Sequence, residues 1–240
     1  MTTDSHAPGR TQSRGQFIVL EGIDGSGTTT QLGALREHFE RTERRAIYTN
    51  EPSDGPVGML IRLALQKRLV GANFDLHDPG DRMPQGGESF DLAALALLFA
   101  ADRADHVATQ VHPNLVKGRH VVCDRYLLST LAYQGLHSPV EWLVEINRPA
   151  LAPDLTFFLD VPADAAAERM RKARWKRDLY ESEPHQRMIR GRYLELIAKR
   201  YPGVGPVVVI DASRPAEEVS SELTARVDRF LDTGRVEDAA

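Results

Sequence analysis

The stretch from residue 17 to residue 31, FIVLEGIDGSGTTTQ, constrains the fold more than any other part of the chain. Its four apolar residues, from Phe17 to Leu20, predict a short buried strand, and three glycines then separate this strand from a threonine-rich helix start. Glycines let backbone N–H groups point inward, and the N-terminus of the next helix adds positive potential. The stretch therefore predicts a phosphate-binding loop, although an ordinary glycine-rich turn has the same outline.

The glycine spacing fits the motif G-x-x-x-x-G-K-[ST] except at one position. Gly22 and Gly27 are the motif glycines, and Thr29 is placed to give its hydroxyl to Mg²⁺, but Thr28 stands where the motif has lysine. A lysine there supplies positive charge to the β- and γ-phosphates of a nucleotide. We therefore expect another cation to supply this charge, or else a weak or inactive site.

Further along the chain, predicted strands alternate with predicted helices. The strands are expected at residues 46–49, 120–124, 155–159 and 207–211, and the helices at residues 30–43, 57–69, 90–116, 163–173, 185–201 and 215–231. This alternation predicts a three-layer α/β/α fold in which helices cover both faces of a five-stranded parallel sheet. Residues 70–88 are rich in Gly, Asp and Pro and predict an exposed loop or insertion.

Size and composition favour one α/β domain, since 240 residues with 42% hydrophobic content can build one well-packed core. A net charge of -4 argues against a general nucleic-acid binder. The single cysteine, Cys123, excludes an internal disulfide and suits a reducing cytoplasm. No apolar run is long enough to span a membrane, and residues 1–16 predict a disordered tail rather than a signal peptide. We expect a cytoplasmic protein with no nucleic-acid or membrane partner, and a flexible C-terminus over residues 233–240.

Six motifs follow one another along the chain. They are EGIDGSG, the Glu51-Pro52 turn, LLFAADR, DRYLLSTLAYQG, RDLYE and IDAS. Together they resemble the bacterial thymidylate (dTMP) kinases of the P-loop nucleoside monophosphate kinase family, over about residues 16–231. The resemblance implies a P-loop NTPase domain at residues 17–232, with a helical lid at about residues 168–184. It also implies transfer of the ATP γ-phosphoryl group to dTMP with Mg²⁺, giving dTDP for dTTP biosynthesis, in a homodimeric enzyme.

The resemblance implies an ATP site at the glycine loop and near the end of the chain. The ATP-binding residues it implies are Gly22, Ile23, Asp24, Gly25, Ser26, Gly27, Thr28, Thr29, Thr30 and Arg214. The catalytic residues it implies are Asp24, Arg125, Arg171, Arg174 and Arg177. The implied metal ligands are Thr29, Asp24, Asp124 and Glu181. We expect the lid arginines to replace the positive charge that the glycine loop lacks.

The resemblance also implies an acceptor site for dTMP. The residues it assigns to this site are Asp24, Glu51, Arg62, Phe99, Arg103, Asp124, Arg125, Ser129, Thr130, Tyr133 and Tyr180. In the family pattern the aromatic ring at Phe99 stacks on thymine, the arginine at Arg103 donates to a base carbonyl, and Tyr133 lies near the sugar. Phe99 and Arg103 share a helix face because they are four residues apart. Judged from the residues alone, a core phenylalanine and a solvated arginine are the favoured alternative.

Two other functions are compatible with the same residues. One is a related kinase that acts on another nucleoside monophosphate or on a deoxynucleoside. The other is a nucleotide-binding homologue that has lost catalysis, for which Thr28 and Asn50 argue, because Asn50 stands where many relatives have arginine. The apolar residues 90–98 and 127–136 predict either a homodimer interface or core packing.

Overall fold

A computed structural model describes residues 14–66, 68–69, 91–173 and 183–236. The predicted loop at residues 70–88, the middle of the predicted lid and most of the predicted N-terminal tail lie outside these residues. The strands in the described part are β1 Phe17–Glu21, β2 Ala46–Asn50, β3 His120–Asp124, β4 Leu155–Asp160 and β5 Val207–Asp211. They form one parallel sheet in the order β2-β3-β1-β4-β5. The predicted five-stranded parallel α/β fold is confirmed.

The strands are connected by helices. In the described residues these are α1 Thr28–Arg41, α2 Pro56–Leu65, α3 Leu92–His106, α4 His112–Val116, α5 Leu127–Tyr133, α6 Val140–Ile146, α7 Ala163–Ala173, α8 Glu183–Lys199 and α9 Ala216–Thr233. A π-helical turn at Val107–Val111 joins α3 to α4, so the helix predicted over residues 90–116 is present with a local widening. Helices α5 and α6 have no counterpart among the helices predicted from the sequence.

The core lies on both faces of the sheet, and for this reason every residue of β1 is buried. Helix α1 packs against α9, and α5 packs against α8. Leu127, Leu128 and Leu131 of α5 are part of this core, so the apolar pattern at residues 127–136 is explained largely by packing within the chain. Leu97 of α3, in contrast, is 50% exposed. None of the described helices has the length and apolar character needed to cross a membrane.

The sheet order decides where the functional residues meet. The carboxyl ends of parallel strands lie at one edge of the sheet, which is where open α/β sheets bind their ligands. Strand β1 lies between β3 and β4. The loop after β1 therefore faces Asp124, the last residue of β3, and Arg125, which follows it. The turn at Glu51 follows β2 at the same edge.

Candidate functional site

The glycine loop leads directly into α1. Gly25 and Gly27 have φ angles of 82° and 98°, which side-chain-bearing residues rarely adopt. A Cβ atom at position 25 would lie 2.5 Å from the carbonyl oxygen of Ala166 in α7, so only glycine allows this close approach. No side chain caps α1, and its first turn has no acidic residue. The N–H groups and the positive end of α1 are therefore available to an anion.

Two adjoining cavities extend from this loop to the end of β5. One, of about 380 Å³, lies beside the loop and the Asp124–Arg125 turn, and the other, of about 390 Å³, lies over residues 212–216. Gly27, Thr30 and Arg169 line both cavities. Arg214, which the resemblance assigned to ATP, lines the second cavity. We call the pair the donor cavities, after the ATP site that the resemblance implies here.

The described part of the predicted lid contributes a different arginine from the one expected. Arg169 lines both donor cavities, and its Nη2 donates to the carbonyl oxygen of Ala212 at 2.8 Å. The side chain of Arg171 is 67% exposed, pairs with Glu168 on the same helix, and lines neither donor cavity. Four further predicted site residues lie outside the described residues: Arg174, Arg177, Tyr180 and Glu181.

Thr29 and Asp124 fit the requirements of a Mg²⁺ ion. The Thr29 hydroxyl donates to Oδ2 of Asp124 at 2.8 Å, whereas the buried Oδ1 of Asp124 has no hydrogen-bond partner. A buried carboxylate oxygen is costly without a partner, and Mg²⁺ prefers oxygen ligands. In the described residues no three His, Cys, Asp or Glu side chains cluster as a metal site. Mg²⁺ typically takes one or two carboxylates with substrate phosphates and water, and Asp124 offers one carboxylate oxygen without a partner.

A third cavity, which we call the acceptor cleft after the dTMP site that the resemblance implies, has a volume of about 180 Å³. Its lining residues are Asp24, Glu51, Pro52, Leu65, Phe99, Arg103, Arg125, Tyr126, Ser129, Thr130, Tyr133 and Gln134. Most of the residues assigned to dTMP are thus brought together. Arg62 is not in this lining, because its Nη1 donates to the carbonyl oxygen of Pro52 at 2.7 Å and its Nη2 pairs with Asp54 at 3.1 Å.

Arg103 is fixed in a buried hydrogen-bond network at the inner end of the acceptor cleft. Its side chain is 1% exposed, so the solvated arginine considered above is excluded. Its Nη2 donates to Oε2 of Glu51 at 2.7 Å and to the Thr130 hydroxyl at 2.9 Å, and its Nη1 donates to Oδ1 of Asn147. Phe99 is half-buried and lines the cleft instead of packing in the core. The guanidinium group therefore has one defined position beside the cleft.

Buried polar side chains of α3 form hydrogen bonds to the residues in and next to the Glu51-Pro52 turn. His106 lies with Nδ1 3.2 Å from Oε1 of Glu51 and Nε2 2.8 Å from the Thr49 hydroxyl. Asp102, next to Arg103 on α3, accepts from the backbone N–H and the hydroxyl of Ser53 at 2.7 and 2.6 Å. Helix α3 thus places both the cleft residues and the residues that support the turn.

Asp24 and Arg125 form an ion pair where the acceptor cleft meets the donor cavities. Arg125 Nη2 donates to Oδ1 of Asp24 at 2.6 Å, and both residues line the acceptor cleft and the loop-side donor cavity. Burial opposes the charge on Arg125, but Tyr133 and Asp24 raise its pKa well above the ordinary value. Gln186 of α8 contacts Asp24 twice: its Nε2 donates to Oδ2, and its Oε1 accepts from the backbone N–H. The Arg125 guanidinium group is therefore held where the acceptor cleft meets the loop-side donor cavity.

A family model described as "Thymidylate kinase" matches residues 20–76 and 81–223. The chain belongs to the thymidylate kinase family. Membership in this family confirms the predicted family and the predicted enzyme class, a nucleotide-binding kinase.

Individual relatives match over nearly their whole length. The chain is 40% identical over 221 residues to "Probable thymidylate kinase" of Pyrococcus abyssi, covering 91% of this chain and 98% of the relative. It is 38% identical over 216 residues to "Probable thymidylate kinase" of Thermococcus kodakarensis, covering 90% and 98%. It is also 38% identical over 229 residues to "Thymidylate kinase" of Pelotomaculum thermopropionicum, covering 91% and 95%.

Several residues at the site were not assigned from the sequence. Arg169 is the first of six Lys and Arg residues within the nine residues 169–177, and no motif distinguishes it from the other five. Asn147 and Gln186 carried no motif signal, since their partners lie far away in the chain. Glu21 appears in the sequence prediction only as the first residue of the EGIDGSG motif, directly after the predicted strand.

Proposed function

We propose that this chain transfers the γ-phosphoryl group of ATP to dTMP in the presence of Mg²⁺, giving ADP and dTDP. The single observation that carries the proposal is that the donor cavities and the acceptor cleft share the Asp24–Arg125 ion pair. Two nucleotides lying end to end would bring their phosphates together at this pair. Phosphoryl transfer needs such in-line positioning and positive charge around the moving oxygens.

The donor nucleotide would lie along the two donor cavities. The loop N–H groups and the N-terminus of α1 would bind its phosphates, and Ser213 and Arg214 would lie beside its adenine. Thr29 and Asp124 would hold Mg²⁺, whose charge when bound offsets the negative charge on the β- and γ-phosphate oxygens.

The acceptor nucleotide would lie in the cleft between α3 and α5. Phe99 would stack on the thymine ring, and Arg103 would donate to a base carbonyl from the position that Glu51, Thr130 and Asn147 give it. Tyr133 would lie near the sugar, and Arg125 would bind the acceptor phosphate in a bidentate manner. Ser129 remains assigned to the edge of the base, and Arg62 remains assigned to the acceptor phosphate.

The charge that Thr28 cannot supply is proposed to come from the arginines of α7 and the segment after it. Arg169 is the member of this group that the described cavities support, and Arg171, Arg174 and Arg177 remain proposed from the family pattern. Arg169→Ala and Arg174→Ala should each lower kcat by about 10² or more if they stabilise the transition state. Thr28→Lys should leave kcat unchanged or raise it. Wild-type kcat in both arginine variants would refute the proposal that these arginines supply the positive charge missing at Thr28.

The decisive experiment for the reaction is ADP release measured with dTMP, dUMP, dCMP, dGMP and thymidine as acceptors. A preference for dTMP in kcat/KM is expected. Preference for another acceptor would indicate a related kinase, and tight ATP binding with background turnover would indicate a homologue without catalysis.

A Thr29→Val variant, which keeps the side-chain shape and loses the hydroxyl, should require more Mg²⁺ for half-maximal rate.

The remaining assignments are proposals about organisation. We propose one P-loop domain over residues 17–232, a lid at about residues 168–184, and a cytoplasmic homodimer. Met59 and Leu63 of α2 and Leu97 of α3 are 57%, 39% and 50% exposed, and α2 packs against α3, so this face suits a dimer contact. Light scattering of the purified chain measures its oligomeric state, and a monomer at assay concentration contradicts the dimer.

A further inference from the structure

Glu21, the last residue of β1, is a fully buried carboxylate that lines neither the donor cavities nor the acceptor cleft. Its Oε1 accepts from the backbone N–H groups of Tyr126 and Ser129 at 2.9 and 3.1 Å. Its Oε2 accepts from the hydroxyls of Ser129 and Tyr193 at 2.5 and 3.1 Å. A buried carboxylate is costly unless it is hydrogen-bonded, and here four donors surround it.

These bonds cap helix α5 from a neighbouring strand. The first N–H groups of a helix have no partner within the helix, and a side-chain oxygen normally accepts from them. Tyr126, in the capping position of α5, gives no side-chain cap. Glu21 supplies the missing acceptor, and α5 carries Ser129, Thr130 and Tyr133 into the acceptor cleft.

The turn before α5 also needs support. Arg125 has a φ angle of 69°, a left-handed conformation that costs free energy for a residue with a side chain. Its own N–H donates to the carbonyl oxygen of Leu20 at 2.8 Å, and the next N–H, of Tyr126, donates to Glu21. Strand β1 therefore holds the amide on each side of the Arg125 Cα atom, which orients the side chain toward Asp24.

We infer that Glu21 is a positioning residue that holds Arg125 in its left-handed conformation and so places the guanidinium between the donor and acceptor phosphates. This inference rests on the proposed function, because that function supplies the phosphates that Arg125 would bind. What matters in this role is an acceptor oxygen at the correct distance, and not the negative charge. Burial raises the pKa of Glu21, and the hydrogen bonds from Ser129 and the charge of Arg125 lower it by less.

The test compares Glu21→Leu with Glu21→Gln. Leucine has a similar size and accepts no hydrogen bond. Glutamine keeps an oxygen for both amides and can donate through its nitrogen to the Ser129 and Tyr193 hydroxyl oxygens. Glu21→Leu should lower kcat with dTMP about 10- to 100-fold through misplacement of Arg125, with KM for ATP changed less than about twofold. Glu21→Gln should restore most of the lost kcat.

Asp154→Ala is the matched control at the other end of β1. Asp154 accepts from the backbone N–H of Phe17 at 2.7 Å and pairs with Arg14, at the edge of the sheet away from both clefts. This variant should lower the melting temperature with kcat unchanged at temperatures where it stays folded. A role of Glu21 in stability alone predicts the same behaviour for Glu21→Leu, and that result would overturn the inference.

Equal losses of kcat in the leucine and glutamine variants would also overturn the inference, because they would show that the charge matters. If Glu21→Leu does not fold, Glu21→Asp replaces it: the carboxylate stays but is one carbon shorter, and the same loss of kcat is expected. Wild-type kcat in Glu21→Asp refutes the distance requirement.

Hydrogen exchange separates this inference from the proposed reaction. The amides of Tyr126 and Ser129 should lose protection in Glu21→Leu, or in Glu21→Asp if the leucine variant does not fold, and keep it in Glu21→Gln. Unchanged protection in the acceptor-deficient variant refutes the capping role. If the wild-type chain does not phosphorylate dTMP, the proposed function fails, whereas the exchange result still decides whether Glu21 holds the turn.

Discussion

The buried pair of Arg103 and Glu51 permits a quantitative test. The two side chains are 1% and 3% exposed and are joined by a 2.7 Å hydrogen bond. Arg103→Met keeps much of the side-chain length but leaves Glu51 buried without its cation. Removing one member of a buried pair costs about 3–5 kcal/mol, or about 6–20 °C in melting temperature at about 2–4 °C per kcal/mol for a chain of this size.

A double-mutant cycle shows whether this loss comes from the pair. Glu51→Gln removes the charge that Arg103→Met leaves uncompensated, so the double variant should lose about 1–3 kcal/mol less than the sum of the single variants. Urea denaturation followed by circular dichroism measures all four free energies of unfolding. Binding of dTMP should be weak in Arg103→Met and equally weak in the double variant, because both lack the hydrogen-bond donor that we propose for the base.

Arg148→Met is the matched control, since Arg148 is 79% exposed and pairs with Glu145 on the surface. It should change the free energy of unfolding little. If Arg103→Met loses less than about 1 kcal/mol, or if the two single losses simply add, the Arg103–Glu51 contact is not a coupled buried ion pair.

Three further predictions test other parts of the fold and the site. Burial, with a contribution from Arg44, lowers the pKa of His120 below its ordinary value of 6.5. The unfolded chain therefore binds the proton more readily than the folded chain, and the free energy of unfolding should fall as the pH drops through 6.5. Thermal melts of His120→Gln over the same pH range should show a smaller fall. Gln186→Leu removes both contacts to Asp24 and should lower kcat about 10-fold in steady-state kinetics, with an unchanged kcat refuting the role of Gln186. Gly25→Ala should lose at least about 1–3 kcal/mol in denaturant melts because its φ is 82°, whereas Gly33→Ala, exposed within α1, should gain about 0.5–1 kcal/mol.

Local signals in the sequence predicted the elements whose boundaries they mark. The bounds of β3, β5 and α7 agree with the prediction, because apolar runs or a 3.6-residue period end at turn residues there. Helices α5 and α6 were missed because each has only seven residues and neither is capped by the side chain of the residue before it. Asn147, the residue directly after α6, accepts a hydrogen bond from Arg103, and no local sequence pattern encodes this contact between residues distant in the chain.

The residues of the candidate site also fall into two groups: those that a local motif predicts, and those that only contacts between distant parts of the chain reveal. The glycine loop and the Asp124–Arg125 turn were predicted because their residues are contiguous and have motif spacing. Glu21 and Gln186 were missed because each acts on a partner distant in the chain: Tyr126 is 105 residues from Glu21, and Asp24 is 162 residues from Gln186. Only the parallel sheet and the packing of α8 bring these groups together.

The wall shared by the acceptor cleft and the loop-side donor cavity has a consequence for inhibitor design. Among the described residues, Asp24 and Arg125 are the two that line both cavities. If these cavities hold dTMP and ATP as proposed, a single compound with an adenosine end and a thymidine end needs a linker no longer than a short chain of phosphates. Once one end is bound, the other is held at high effective concentration beside its own pocket. Such a compound would gain affinity from both ends without any new contact to the protein.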